Sequence, residues 1–500
     1  MTHRLLTAVC ALALVLGVAF SASAAVQNVR VGGDIEVKGI YQRAYDIVDE
    51  IEIAGPTVYD NNPIVHDYLM TITRLYVAAS LTDNVEAYVR VINQRDWDAN
   101  YAPLNTVADD VNIDLAYLTL SEMYGYPFSL TIGRQELLYG EGFLVGDGVR
   151  VIDASQTYQY DTRKGFDAIK AVWDYEPHQL DLFIAKVTEG SNVYEFGSFG
   201  WGFPMLRVPG PWVGGPVDPV DTDNDLYGVN WNYDGGMYGL WDAALFYNRN
   251  NAVGWDGENQ TWALSIRGEG TLPQIETGTL ALKGEIVKEW GIVEQGSNLG
   301  TSGFFGASND AEILDAWAGY IEGEYTFDNV YAPYIGLGYI YMSGDNYGTD
   351  KIEQFNPLFE DEKYGEIAEV LYGLGLVNAP GVAVALGGGS DTTMTNAQIF
   401  KFNVGLNPTE NTSIDLTYYS LAANQEVFSV TGDEDDQGRY IGSEYDLSFN
   451  YNYSEDVSFG LMYALFIPGP YFEVGANDVV GVDLNLENAQ ELMGSVKVTF

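Results

Sequence analysis

From residue 29 to 41 every second side chain is apolar or glycine. Val29, Val31, Gly33, Ile35, Val37, Gly39 and Tyr41 share one parity, and Arg30, Asp34, Glu36 and Lys38 share the other. A period of two means an extended strand with one face to an apolar medium and the other to water. The pattern returns near the end of the chain, where Tyr445, Leu447, Phe449, Tyr451 and Tyr453 oppose Glu444, Asp446, Ser448, Asn450 and Asn452. Val457, Phe459, Leu461, Tyr463 and Leu465 repeat it. Leu492, Gly494, Val496, Val498 and Phe500 then finish the chain on an outward aromatic.

After the first two dozen residues no stretch approaches the roughly 20 apolar residues of a helical span. With 56 glycines, 36 tyrosines and 14% aromatic residues, the pattern suits a closed barrel whose strands show lipid only every second side chain. A large soluble all-β protein, a solenoid or a propeller, is the competing architecture. The opening residues carry Arg4, an apolar run from Leu5 to Phe20 and the small residues Ser21, Ala22, Ser23 and Ala24, as a secretory leader does. The expected division is a signal peptide over 1–24 and a single barrel domain over 25–500. Cys10 lies in the leader, so the mature chain is expected to have no cysteine.

Connections should alternate between short periplasmic turns and long extracellular loops. Turn-rich links fall at Thr82 to Asn84, Glu176 to His178, Gly235 to Met237, Phe327 to Val330, Pro408 to Asn411 and Ser454 to Asp456, with longer ones near 121–127 and 271–278. Long polar or Gly-rich stretches lie near 42–66, 96–110, 139–164, 189–224, 249–258, 291–311, 344–396, 423–440 and 467–487. Such a count joins eighteen antiparallel up-and-down strands, with sixteen as the alternative. The 344–396 loop stands out in length, with a short helix expected over Glu360 to Tyr372 and an apolar tail over Val382 to Gly389. It either folds into the lumen as a constriction or caps the surface. The acidic runs Asp433 to Asp436 and Glu360 to Glu362 read as surface loops.

Three groups of residues carry a family resemblance. The first is Gly133, Arg134, Gln135, Glu136, Leu137 with Tyr139 and Gly140. The second is Ser343, Gly344, Asp345, then Phe355, Asn356, Pro357, Leu358, Phe359, then Tyr364 and Gly365. The third is Gly442, Ser443, Glu444, Tyr445, Asp446, Leu447 with Phe466, Ile467, Pro468 and Gly469. In order and spacing the chain resembles the alginate-export family of outer-membrane barrels. The resemblance implies an eighteen-stranded monomer that passes a polyanionic polysaccharide outward through an arginine-lined pore. The terminal Phe500 resembles the signal read by the barrel-assembly machinery.

The charge departs from that implied pore. Of 23 Lys and Arg the leader takes Arg4, leaving 22 against 71 Asp and Glu. Charge on the lipid face costs about 2–4 kcal/mol per Lys or Arg at mid-membrane, so parity nominates lumen residues. On early strands these are Arg30, Lys38, Arg74 and Arg90, with Arg134 inward if a β-bulge resets its parity. On later strands they are Glu322, Glu324, Asp415, Glu444 and Asp446, with Lys401 the main cation. Cations on one wall and carboxylates on the other would set a transverse field; locally paired charges are the alternative.

A net charge of −48 repels nucleic acid. His66 and His178 are expected at opposite membrane faces, too far apart for a shared catalytic site, and no zinc, nucleotide or EF-hand pattern appears. The expectation is a non-enzymatic outer-membrane channel without cofactor or metal, in contact with outer-membrane lipid and lipopolysaccharide. Its cargo is small solutes or oligosaccharides moving by passive or facilitated diffusion. Export of a polyanionic polysaccharide such as alginate, and a structural or adhesive barrel with acidic loops, remain as alternatives.

Overall fold

A computed structural model describes residues 27–45, 47–53, 57–60, 65–97, 111–146, 165–188, 224–251, 258–275, 277–294, 311–346, 349, 351–355, 357–373, 376–379, 382–385, 394–425, 438–473 and 482–500. The leader over 1–24 and the run Asp433 to Asp436 lie outside these residues. Eighteen antiparallel strands close into a barrel. In chain order they are β1 (Asn28–Arg43), β2 (Val65–Thr82), β3 (Val85–Asp96), β4 (Asn112–Leu120), β5 (Phe128–Gln135), β6 (Phe166–Tyr175), β7 (His178–Thr188), β8 (Asn224–Asp234) and β9 (Leu240–Asn251). There follow β10 (Glu258–Ile275), β11 (Gly278–Glu294), β12 (Ala311–Phe327), β13 (Tyr334–Met342), β14 (Ala397–Thr409), β15 (Thr412–Ala423), β16 (Tyr440–Asn452), β17 (Val457–Pro468) and β18 (Ala489–Thr499).

Each strand pairs with the next in sequence, and β18 returns to β1 in register from Asp34↔Thr499 to Arg43↔Gln490. Beyond that ladder Phe500 and Gly33 exchange two backbone hydrogen bonds of 2.9 Å. Closure leaves no open sheet edge, which a bilayer would not tolerate. Exposed large apolar side chains keep one parity along each strand: Val31, Ile35 and Tyr41 on β1, Leu69, Leu75 and Val77 on β2, Phe459, Leu461 and Tyr463 on β17. Those are the lipid-facing positions, and the expected alternation and eighteen-strand count both hold.

Two local expectations change. The link near 271–278 is a tight turn, because strand pairing continues to Ile275↔Gly278 across a bulge after Leu272. The helix expected over Glu360 to Tyr372 shrinks to one π-helical turn, Glu369–Gly373. Of the apolar tail the described residues Val382–Ala385 pair with Leu376–Ala379 in a hairpin, and 386–389 lie outside the described residues. A small sheet, Val48–Ile53, Thr57–Asp60 and Val482–Leu486, ties the first long connection to the last.

The buried apolar core lies inside the barrel, in the half nearest the long connections. Ala168, Ala185, Ala263, Ala316, Ala397 and Ala464 line that wall, and the rings of Phe143, Phe355, Phe359, Tyr364 and Tyr372 fill the space. Small wall residues leave room for large inserted ones, as in other filled barrels.

Candidate channel constriction

The segment after β5, residues 136–146, and the segment after β13, residues 353–355 and 357–373, both turn into the lumen and meet there. Gly146 N–H donates to the Phe359 carbonyl at 2.6 Å, Phe359 N–H to the Leu144 carbonyl at 2.9 Å, and Asp361 N–H to the Gly142 carbonyl at 2.8 Å. Phe143 stacks on Phe355 at 5.8 Å between centroids, and Phe359 meets the edge of Phe166 at 5.4 Å. Glu360 to Glu362 therefore lie inside the barrel and not on a surface loop, because the apolar residues on both sides of them carry the chain inward. Of the two possibilities for the 344–396 loop, residues 353–355 and 357–373 take the inward one.

Glu444 of β16 fixes the seat. Its fully buried carboxylate accepts the N–H of Ile367 at 2.8 Å and of Ala368 at 2.7 Å. Gly365 passes directly over it with φ +99, and a Cβ there would come within 2.5 Å of a Glu444 carboxylate oxygen. Only glycine meets both the space and the backbone geometry. Gly365→Ala is thus predicted to strain the seat by about 1–3 kcal/mol while leaving the strand pairing of the wall unchanged. Limited proteolysis of the folded barrel should then cut within 357–373 faster than in wild type, and equal rates would count against a glycine-dependent seat.

A chain of alternating charges runs along the lumen wall from β9 to β14. Arg267, almost fully buried, bonds Asp242 at 2.9 Å, Glu269 at 2.5 Å, Glu141 at 3.5 Å and the Tyr320 hydroxyl at 3.3 Å. Lys283 bonds Glu141 and lies 3.6 Å from Glu322, which in turn bonds Lys401 at 3.2 Å. Glu141, carried on the inserted segment, bridges two wall cations. Burial works to raise its carboxyl, but the hydrogen bond and charge of Lys283 and the charge of Arg267 outweigh this and hold it below its ordinary range. Glu362 behaves oppositely: burial, then the nearby Glu141, push it up to about 7.

The nominated residues divide as follows. Arg74, Arg90, Glu322, Glu324, Lys401, Asp415, Glu444 and Asp446 stand on the parity opposite the exposed lipid-facing chains. Arg74 bonds Asp34 at 2.8 Å, Arg90 bonds Asp114 at 2.5 Å and Glu136 at 2.7 Å, and Arg30 bonds Glu86 at 2.9 Å. The early-strand cations are thus locally paired, which favours charge ladders over a field between the two halves. Asn403 donates to Glu324 at 3.3 Å, the Tyr334 hydroxyl donates to Asp415, and Asp446 neighbours Glu444.

Arg134 is the correction. The β5–β6 register runs without a shift from Phe128↔Trp173 to Gln135↔Phe166, so no bulge resets its parity. It stands with Ile132 and with the lipid-facing Ile169, 3.6 Å from Asp167 on the outer wall. His66 and His178 fall at the long-connection and short-turn ends respectively. Arg267 and Lys283 were open to the parity argument; Glu141 was not, since it lies in a connection without alternation.

A closed eighteen-stranded barrel with segments folded into its lumen is a porin-like channel of the bacterial outer membrane. The chain belongs to the alginate export family, whose model matches residues 59–187 and 238–479, well over half of its length. In fold it is similar to a doubly substituted OccD1 (OprD), with TM-score 0.50 and 10% identity over 96% of this chain and 98% of that one. Pseudomonas aeruginosa OccK9 (OpdG) gives 0.49 and 11% over 94% and 98%, and Pseudomonas aeruginosa OpdQ gives 0.48 and 12% over 96% and 99%. No curated protein matches the sequence significantly.

The residues that carried the family resemblance converge on the seat. Leu137 and Tyr139, Phe355, Leu358 and Phe359, Tyr364 with Gly365, and Glu444 with Phe466 all border the inserted segments or their wall.

Proposed function

We propose that the protein passes small hydroxylated or charged solutes, oligosaccharides among them, by facilitated diffusion through a narrow, size-limiting passage. One observation carries this reading: two inserted segments meet in the lumen and place Glu141 and Glu362 beside Arg267, Lys283 and Lys401. Mixed, mutually compensated charge at a constriction offers hydrogen-bonding partners to polar solutes without a deep trap for either sign. The family description favours a second reading, export of a polyanionic polysaccharide, for which the same wall cations would have to exchange Glu141 and Glu322 for the uronate groups of the cargo. The leader over 1–24 is removed on export in this proposal, Phe500 addresses the chain to the barrel-assembly machinery, and the barrel works as a monomer.

Reversal potential across a salt gradient in planar bilayers separates the two readings. Weak selectivity, or a cation preference matching the acidic chain, with liposome swelling by neutral sugars, is the expected result. Clear anion preference with block by oligouronates would replace it by the export reading.

A further inference from the structure

The lipid-facing wall over β5 to β9 carries a transverse row of charges among its apolar residues. Register alone places Arg134, Asp167, Lys186, Asp225 and Arg249 in one transverse row: Arg134↔Asp167, Asp167↔Lys186, Lys186↔Asp225 and Asp225↔Arg249 are successive cross-strand partners. Asp167, Lys186, Asp225 and Arg249 share the parity of exposed apolar neighbours on their own strands, Ile169, Ile184, Tyr227 and Leu245, and Arg134 that of the half-buried Leu130 and Ile132; Asp225 itself is buried, 2.7 Å from Lys186. The row sits where β5, β7 and β9 run out into long connections, at the extracellular rim. There a lipid-face charge costs about 0–1 kcal/mol and not the several of mid-membrane, so the row marks the headgroup level of the outer leaflet.

Immediately beneath it the wall is indented. A groove of about 530 Å³ opens outward among Ile169, Ala171, Leu182, Ile184, Val229 and Leu245. Its far side is a file of rings in contact, Tyr227 to Tyr247 at 5.9 Å and Tyr247 to Trp262 at 4.5 Å. Ala171, short on the outward parity of β6, leaves the depression between longer neighbours. A cation-bearing rim over an apolar trough is complementary to an amphiphile with an anionic head. At about 4.8 Å per interstrand step the row extends ~19 Å, with cations at both ends and in the middle. That is wider than a single phosphate and fits a head carrying two phosphates on a sugar backbone.

We propose that the groove and the charged row form a specific site for a bis-phosphorylated, multiply acylated glycolipid of the outer leaflet. The acyl chain lies in the trough along Ala171 and Leu182, and the phosphates meet Lys186, Arg134 and Arg249, sharing them with Asp167 and Asp225.

The test is native mass spectrometry of the full, delipidated barrel titrated with bis-phosphorylated lipid A, its monophosphorylated form and phosphatidylethanolamine. One retained lipid A per barrel is expected, held ~10-fold over the monophosphorylated form, the scale of one lost charge-assisted contact. Lys186→Gln with Arg249→Gln should remove that preference. Ala171→Trp, which fills the trough without touching a charge, should weaken retention of all three probes. Heat-modifiable gel mobility verifies folding, and Ala171→Trp stands as the second test if the double variant does not fold. Unchanged retention in the folded variants, or phosphatidylethanolamine held as firmly as lipid A, would overturn the site.

Discussion

Removal of residues 357–373 is expected to raise single-channel conductance several-fold, and Glu444→Ala should reproduce much of the increase. The wall does not depend on the segment. β13 and β14 pair directly from Tyr334↔Gly405 to Tyr341↔Gln398, so the connection between them can be shortened without opening the barrel. A barrel of this strand number otherwise encloses an aqueous channel; what fills it here is the inserted pair of segments. Glu444→Ala leaves the N–H groups of Ile367 and Ala368 buried without their acceptor. An unsatisfied buried donor costs about 1–3 kcal/mol, so two of them loosen the segment's hold on β16 while its backbone bonds to residues 142–146 remain. Glu444→Gln keeps one acceptor oxygen and should lie between wild type and Ala. The readout is conductance in planar bilayers, with heat-modifiable mobility as proof of folding. A deletion that folds and conducts like wild type would show that the passage runs elsewhere.

How far the sequence disclosed this arrangement follows from what alternation can report. Val31, Ile35 and Tyr41 on one side and Asp34, Glu36 and Lys38 on the other see two different media, and their parity was legible. At the long-connection ends of the strands both faces are apolar: Ile169 meets lipid while Ala168 meets the inserted Phe166–Phe359 cluster. There the two-residue signal fades, and the internal core was invisible for that reason. Arg134 shows the opposite failure. Charge suggested the lumen, but an arginine at the rim can face outward because the headgroup region is polar, and parity was the better guide. Glu141 and Glu362 sit on connections with no period at all. Their approach to Arg267, Lys283 and Lys401 exists only once the segments fold inward, so only the coordinates reveal it. The family motifs had quoted Tyr364, Gly365 and Glu444 as separate short matches; contact between Gly365 and Glu444 explains why those residues occur together.

The seat should also respond to pH, with conductance rising between about pH 5 and pH 8. Residues 357–373 carry four glutamates, Glu360, Glu362, Glu366 and Glu369, together with Asp361 and Lys363. Facing them are Glu141 from the other segment, Lys283 on β11, Glu322 on β12, Lys401 on β14, Glu444 and Asp446 on β16, and Glu491 on β18. Acid predominates over base in that company. Burial pushes Glu369 up to about 7, as it does Glu362, and burial followed by the charge of Glu369 pushes Glu360 well above the carboxylate range. A carboxyl whose value is raised in the seated state holds its proton there while the released state has lost it. The seated state then binds more protons, and its advantage falls as pH rises. Seating is at full strength below the ordinary carboxylate value of about 4.5 and weakens as pH passes about 7. For Glu362 the contribution is at most on the order of 3 kcal/mol, reduced by solvent at its exposed edge. Glutamine mimics the protonated acid, so Glu360→Gln with Glu369→Gln should hold the acid-like, low conductance up to pH 8. Recording conductance at constant ionic strength across this range decides the matter. A double variant whose profile runs parallel to wild type would assign the pH response to groups outside the seat.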